Sequence, residues 1–97
     1  MKETKILLFY KFENISDPES FAKMQRDFCS QFDLMGKILV AKEGINGSIS
    51  GSQEVTEKYK EFLRSQPGFE DIVFKEEWGV SHPFTKFVAR VRKEIVA

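Results

Sequence analysis

The chain has 97 residues, 41% hydrophobic and 31% charged, and its 15 Lys and Arg balance its 15 Asp and Glu. That length gives one domain whose core needs neither disulfide nor metal. Zero net charge excludes a global attraction for polyanions, so any nucleic-acid surface must be a local patch.

Residues 1–4 are a short polar start, and Ile6 to Phe12 is apolar almost throughout, which predicts a strand buried on most of both faces. Ser16-Asp17-Pro18-Glu19 is a helix-start signal: Ser16 or Asp17 can cap free N–H groups, Pro18 fits the first turn, and Glu19 suits the positive helix end. Phe21, Met24, Phe28 and Phe32 recur at helical spacing and predict one bulky face, with Gly36 marking the end of the helix region. Gly36 to Lys42 and Ile45 to Ser50 read as two strands joined by a glycine-containing hairpin, Lys42 to Ser48. Ser52 caps a second helix, with Glu54 in its first turn, an apolar stripe of Val55, Tyr59, Phe62 and Leu63, and a stop at Pro67-Gly68. Ile72 to Trp78 and Lys86 to Arg92 are further strands, separated by a loop with Gly79, Ser81, His82 and Pro83.

The order β-α-β-β-α-β with one extra strand predicts an α+β class. Its best fit is a ferredoxin-like, acylphosphatase-like sandwich with two helices on one face of an antiparallel sheet. Which of the last two strands lies beside the first stays open at this level.

Cys29 is the only cysteine, so no internal disulfide is possible, and no signal peptide or long apolar run is evident. A reducing cytoplasm is the simplest compartment, with no membrane role. Cys29 falls inside a predicted helix, far from its N-terminus and from any histidine, and reads as a small packing residue rather than a nucleophile. His82 is the only histidine; with one cysteine it makes no closed zinc site, so no metal is expected, and it reads as a loop residue. Glu76 and Glu77 are neighbours on a predicted strand and point to opposite faces, which keeps them from converging on a substrate.

Two features point to contacts rather than catalysis. The hairpin could offer N–H groups to a phosphate, but a strand rather than a helix follows it, so a structural turn flanked by Lys42 and Glu43 is the simpler reading. In the last strand Lys86, Arg90 and Arg92 share one parity and Phe87, Ala89 and Val91 the other. The apolar face is expected to pack inward, leaving a basic stripe, extended by Lys93, for RNA phosphates or an acidic partner.

The run Lys37 to Gly51 (KILVAKEGINGSISG) resembles the N-terminal domain of the bacterial rhodanese-like tRNA uridine hydroxylase family. Supporting matches are Leu8-Phe9-Tyr10-Lys11-Phe12, Pro83-Phe84 and Val91-Arg92-Lys93-Glu94-Ile95-Val96, so the resemblance spans nearly the whole chain. It implies a ferredoxin-like domain followed by a rhodanese domain that carries the catalytic cysteine. It also implies an oxygen-dependent hydroxylation of the wobble uridine of certain tRNAs to 5-hydroxyuridine by the full-length protein. No rhodanese cysteine loop is present here, so this chain is expected to be part of a larger protein and to be inactive alone, with no catalytic residue and no cofactor of its own. An acylphosphatase activity is disfavoured, since Glu13 to Asp17 offers neither glycines nor arginine for a phosphate cradle.

The expected role is therefore an accessory module that positions tRNA or covers the rhodanese active site, with Lys42, Asn46, Lys86, Arg90 and Arg92 as candidate contacts to RNA or to the neighbouring domain. The alternative is a purely structural module that packs on the rhodanese domain or another subunit, through an apolar patch around Trp78 and Phe84.

Overall fold

Local capping chemistry fixes where both helices begin. In the computed structural model, which describes residues 4–79 and 84–95, the Asp17 carboxylate accepts from Ser20 N at 3.1 Å, and the Ser52 hydroxyl accepts from Val55 N at 3.2 Å. Each such cap contributes about 1 kcal/mol. The elements run β1 (Thr4–Phe12), α1 (Pro18–Cys29), β2 (Met35–Ala41), β3 (Gly44–Gly51), α2 (Gln53–Arg64), β4 (Lys75–Gly79) and β5 (Phe87–Val91).

They form one five-stranded sheet in the order β4-β1-β3-β2-β5. The first four strands pair antiparallel, and β5 joins the edge parallel to β2, so the ferredoxin-like sandwich has a mixed sheet. β4 is the strand beside β1, which settles the ordering that the sequence leaves open. The helices share one face, α1 over β2 and β5 and α2 over β1 and β3. Between helices and sheet lie Leu7, Phe9, Ile38, Val40, Ile45, Ile49, Tyr59 and Leu63, all buried. The Phe28 and Phe62 rings stack at 4.0 Å and 10° where the helices meet.

Four expectations about local structure change. The innermost residues of α1 are Ala22, Gln25 and Cys29, while Phe21, Met24 and Phe28 flank them half-buried. Ala22, Cys29 and the unbranched Gln25, which accepts from the Tyr59 hydroxyl at 2.7 Å, occupy the line of closest approach to the sheet, and the large side chains fill the wedges beside it. Phe32 lies beyond the helix, which ends at Cys29. The hairpin turn is Lys42-Glu43, one residue earlier than the expected strand ends imply, because Ala41 pairs with Gly44; Asn46 and Gly47 belong to β3, as expected.

The third change concerns β4, which starts at Lys75 rather than Ile72. Arg64 donates from Nε and Nη2 to the Ile72 carbonyl at 3.2 and 3.0 Å, and Ile72 N donates to Phe69 O at 3.2 Å. Both backbone groups are therefore taken before a sheet ladder can use them. The fourth concerns β1, whose two faces differ: Leu7 and Phe9 are buried beneath the helices, whereas Tyr10 and Phe12 on the other face are 54% and 56% exposed.

The glycines of the hairpin have packing reasons. A Cβ at Gly44 would lie 2.1 Å from the Lys11 carbonyl oxygen, and one at Gly47 would lie 2.2 Å from Cζ of Phe9. Gly47 thus leaves room for the largest ring of the β1 core face, and Gly44 lets two strands approach. The turn itself is docked: Lys42 O accepts from Ile15 N, Glu43 O accepts from Glu13 N, and Glu43 Oε1 accepts from Ile95 N at 2.7 Å. No described helix is long and apolar enough to cross a membrane.

Candidate functional site

Because helices cover only one side of the sheet, the other side is open, and strand alternation decides what it displays. Tyr10, Asn46, Leu39 and Arg90 are successive register partners across β1, β3, β2 and β5. The adjacent row is Lys75, Leu8, Ser48, Lys37 and Val88. Lys86 and Arg92, which flank β5, share the parity of Arg90 and are exposed like it. Four of the five residues singled out from sequence, Asn46, Lys86, Arg90 and Arg92, therefore fall on one face. Lys42 stands apart, exposed in the turn at one end of that face.

The expected split of β5 holds, since Ala89 is buried and Phe87 and Val91 pack against the core. Arg26 of α1 donates to the Ala89 carbonyl at 2.8 Å from the covered side, pinning the strand to the helix. Strands β2 and β5 contain no Asp or Glu. Their half of the open face is therefore basic, although the chain as a whole is neutral.

Sequence reasoning missed the aromatic half. Tyr10 and Phe12 meet edge-on, with ring centroids 6.3 Å apart and planes at 80°. They border a hollow of about 700 Å³ with Leu8, Ser48, Val73 and Lys75. The hollow exists because β4 pairing stops at the Leu8–Lys75 register, so the second half of β1 is paired with β3 on one side and has no described strand on the other. A strand beginning at Ile72 would have filled that space. The Lys11 ammonium, on the covered side of the same notch, donates to Asp71 Oδ1 at 2.6 Å and to the Gly68 carbonyl, which holds the 68–73 segment as its rim. The Asp71 hydrogen bond is the main reason the Lys11 pKa is raised, and the same bond lowers that of Asp71.

Other candidates prove structural. Cys29 is 1% exposed and burial pushes its thiol up to about 12, which leaves no thiolate for chemistry. Glu76 and Glu77 do diverge: Glu77 lies 3.6 Å from Lys75, while Glu76 joins Lys5, Glu57 and Lys60 on the covered side. Burial alone would lower the pKa of Lys5, but its hydrogen bonds to Glu76 and Glu57 outweigh this and raise it. Hydrogen bonds from Lys5 and Lys60 hold both glutamates below the usual carboxylate range. Trp78 lies on edge strand β4, its ring 5.6 Å from Lys5 Nζ, whereas Phe84 sits by Gly36 and Lys86 at the opposite edge. They do not form one apolar patch. His82 and Pro83 lie outside the described residues, among which no cluster of metal-ligating side chains occurs.

Residues 4–95 match the family described as UPF0176 acylphosphatase like domain. A tRNA uridine(34) hydroxylase of Acholeplasma laidlawii is 46% identical over 95 residues, covering 98% of this chain and 30% of the relative. One from Listeria welshimeri is 45% identical over 97 residues, covering all of this chain and 30% of the relative. The chain thus spans under a third of the length of these curated relatives. Among solved structures, the BLUF protein BlrB in its dark state superposes with a TM-score of 0.72 at 15% identity, covering 92% of this chain and 74% of that one. The BLUF domain of BlrP1 gives 0.73 at 13%, covering 96% and 66%. These likenesses are of fold alone.

Proposed function

Because the chain belongs to the family of UPF0176 acylphosphatase-like domains and is the N-terminal part of proteins like the tRNA uridine(34) hydroxylases, we propose that it is an accessory module of a tRNA-modifying enzyme that positions tRNA on the open face of its sheet. On this reading the full-length protein hydroxylates the wobble uridine to 5-hydroxyuridine in the cytoplasm, and the oxygen-dependent chemistry lies in a C-terminal rhodanese domain, the second partner of this face. The observation that carries the proposal is the basic half-face: Lys37, Lys86, Arg90 and Arg92 stand on a surface whose two strands hold no carboxylate. Such a surface neutralises phosphates, and the resulting counterion release makes binding salt-dependent.

The test is the affinity of the full-length protein for tRNA, measured over a range of salt concentrations, with Arg90 and Arg92 both replaced by alanine. The proposal expects weaker binding and a salt slope reduced by about one for each phosphate that is no longer neutralised. Unchanged affinity and slope would overturn it. Lys42 is expected to matter less, since it projects from the turn rather than from the face.

A second reading has its own observation. Exposed Tyr10, Phe12 and Val73 around one hollow could equally receive the neighbouring domain, making this a packing module. Replacing Tyr10 and Phe12 would then lower the melting temperature of the full-length protein and leave tRNA affinity unaltered.

A further inference from the structure

The aromatic half of the open face is a different kind of surface from the basic half, and nothing about phosphate binding requires it. We infer that Tyr10 and Phe12 form a seat for one unpaired nucleobase, so that the domain takes single-stranded RNA in preference to duplex. The inference rests on the tRNA-positioning reading and deepens it.

Its first support is exposure against context. Two aromatic side chains more than half exposed, on one strand and on one side of it, make a local apolar patch of the kind that marks an interaction site. Its second is shape. With the ring planes at 80°, a flat group can lie against the face of one ring while the other ring borders its edge. That geometry seats a single base rather than a continuous stack. The hollow of about 700 Å³ beside the rings gives the base room, because β4 stops short of them.

The third support is charge placed at a matching distance. Tyr10 and Arg90 stand at opposite ends of one register row, separated by three strand spacings of about 4.8 Å each, hence roughly 14 Å. A base seated on Tyr10 therefore leaves its strand free to run across β3 and β2, with phosphates reaching Arg90 and Arg92. The stripe of Lys86, Arg90 and Arg92, beside strands that hold no carboxylate, supplies the charge that such phosphates need. Duplex RNA keeps its bases stacked inside and offers only its backbone and shallow groove edge to a flat surface, whereas unpaired bases splay out and stack on exposed aromatics.

The experiment compares the full-length protein with Tyr10→Ala/Phe12→Ala, Tyr10→Phe and Arg90→Ala/Arg92→Ala variants. Each is titrated with a stem-loop RNA and with the same stem as a blunt duplex. Removing both rings is expected to weaken stem-loop binding by about tenfold, the scale of a single base–aromatic stack, with the duplex affinity and the salt slope kept. Tyr10→Phe, which preserves the ring, is expected to bind like the parent. Irradiating a complex with thiouridine in the loop is expected to crosslink the peptide that contains Tyr10 and Phe12, a readout that needs no substitution. An equal loss on both RNAs, no loss on either, or crosslinks confined to other peptides would overturn the seat. So would a lowered melting temperature or altered oligomeric state in the ring-less variant, because protein would then be what covers the rings. If Arg90→Ala/Arg92→Ala changes nothing on either RNA, the tRNA reading itself fails. If it weakens both while ring removal weakens neither, only the seat fails.

Discussion

Neighbouring residues of β1 serve opposite surfaces. Leu7 and Phe9 are sealed beneath α2, where Phe9 fits the space left by Gly47 and packs on Tyr59 and Phe74. Tyr10 and Phe12, of the same chemical type and one step along the strand, stand exposed beside the hollow. Hydrophobicity thus measures what a side chain would gain by burial, while topology decides whether a covering layer exists. On the helix side that gain is realised within the chain, and on the open side it is left for a ligand.

Substitutions can break this contrast. The largest effect is expected from Phe9→Ala, which leaves a cavity under the helices and costs about 3–5 kcal/mol in urea denaturation. Gly47→Ala acts on the same spot from the other side; its Cβ forces the Phe9 ring or the strand to move, at about 1–3 kcal/mol. Removing the Glu43 carboxylate by Glu43→Ala leaves Ile95 N without its acceptor and is expected to cost about 1 kcal/mol. Phe12→Ser, by contrast, is expected to stay within about 0.5 kcal/mol, since an exposed ring loses little.

The covered side also predicts a pH dependence. Glu57 and Glu76 have folded-state pKa values below their ordinary 4.5, so the folded protein binds fewer protons than the unfolded chain. Their contribution is complete above that ordinary value and is lost as pH falls through the lowered ones. Lys5 is raised above 10.5, so its share is complete below that value and is lost at still higher pH. Melting temperature followed downward from neutral pH should therefore fall only below the ordinary carboxylate value, and Glu76→Gln should flatten that fall. A fall of the same steepness in the variant would mean that other carboxylates dominate.

What the sequence makes legible is what short-range chemistry encodes. Both helix caps, the alternation of β5 and the inert packing of Cys29 follow from neighbours a few residues apart, and the structure agrees with them. The failures have distant causes. Ile72 and Phe74 alternate like strand residues, but Arg64 takes the Ile72 carbonyl, and that contact is invisible to a pattern of hydropathy. β1 reads as buried on both faces because an apolar run cannot say that its second face has no cover. The glycines announce a hairpin, but the close approach that Gly47 permits involves Phe9, far away in the chain, and no local pattern shows it. Within the candidate site the basic residues are legible by parity. The aromatic seat is not, because it depends on where β4 stops.

The Lys42-Glu43 turn acts as a buckle as well as a bend. It fastens Glu13 and Ile15, just after β1, and grips Ile95 at the far end of the described chain, with the Ile95 side chain against Gly44, the register partner of Phe12. The aromatic seat and the last described residue are thereby joined through one short chain of hydrogen bonds and contacts. Whatever is held at Phe12 is held at a set offset from Ile95, so the domain can act as a ruler as well as a grip.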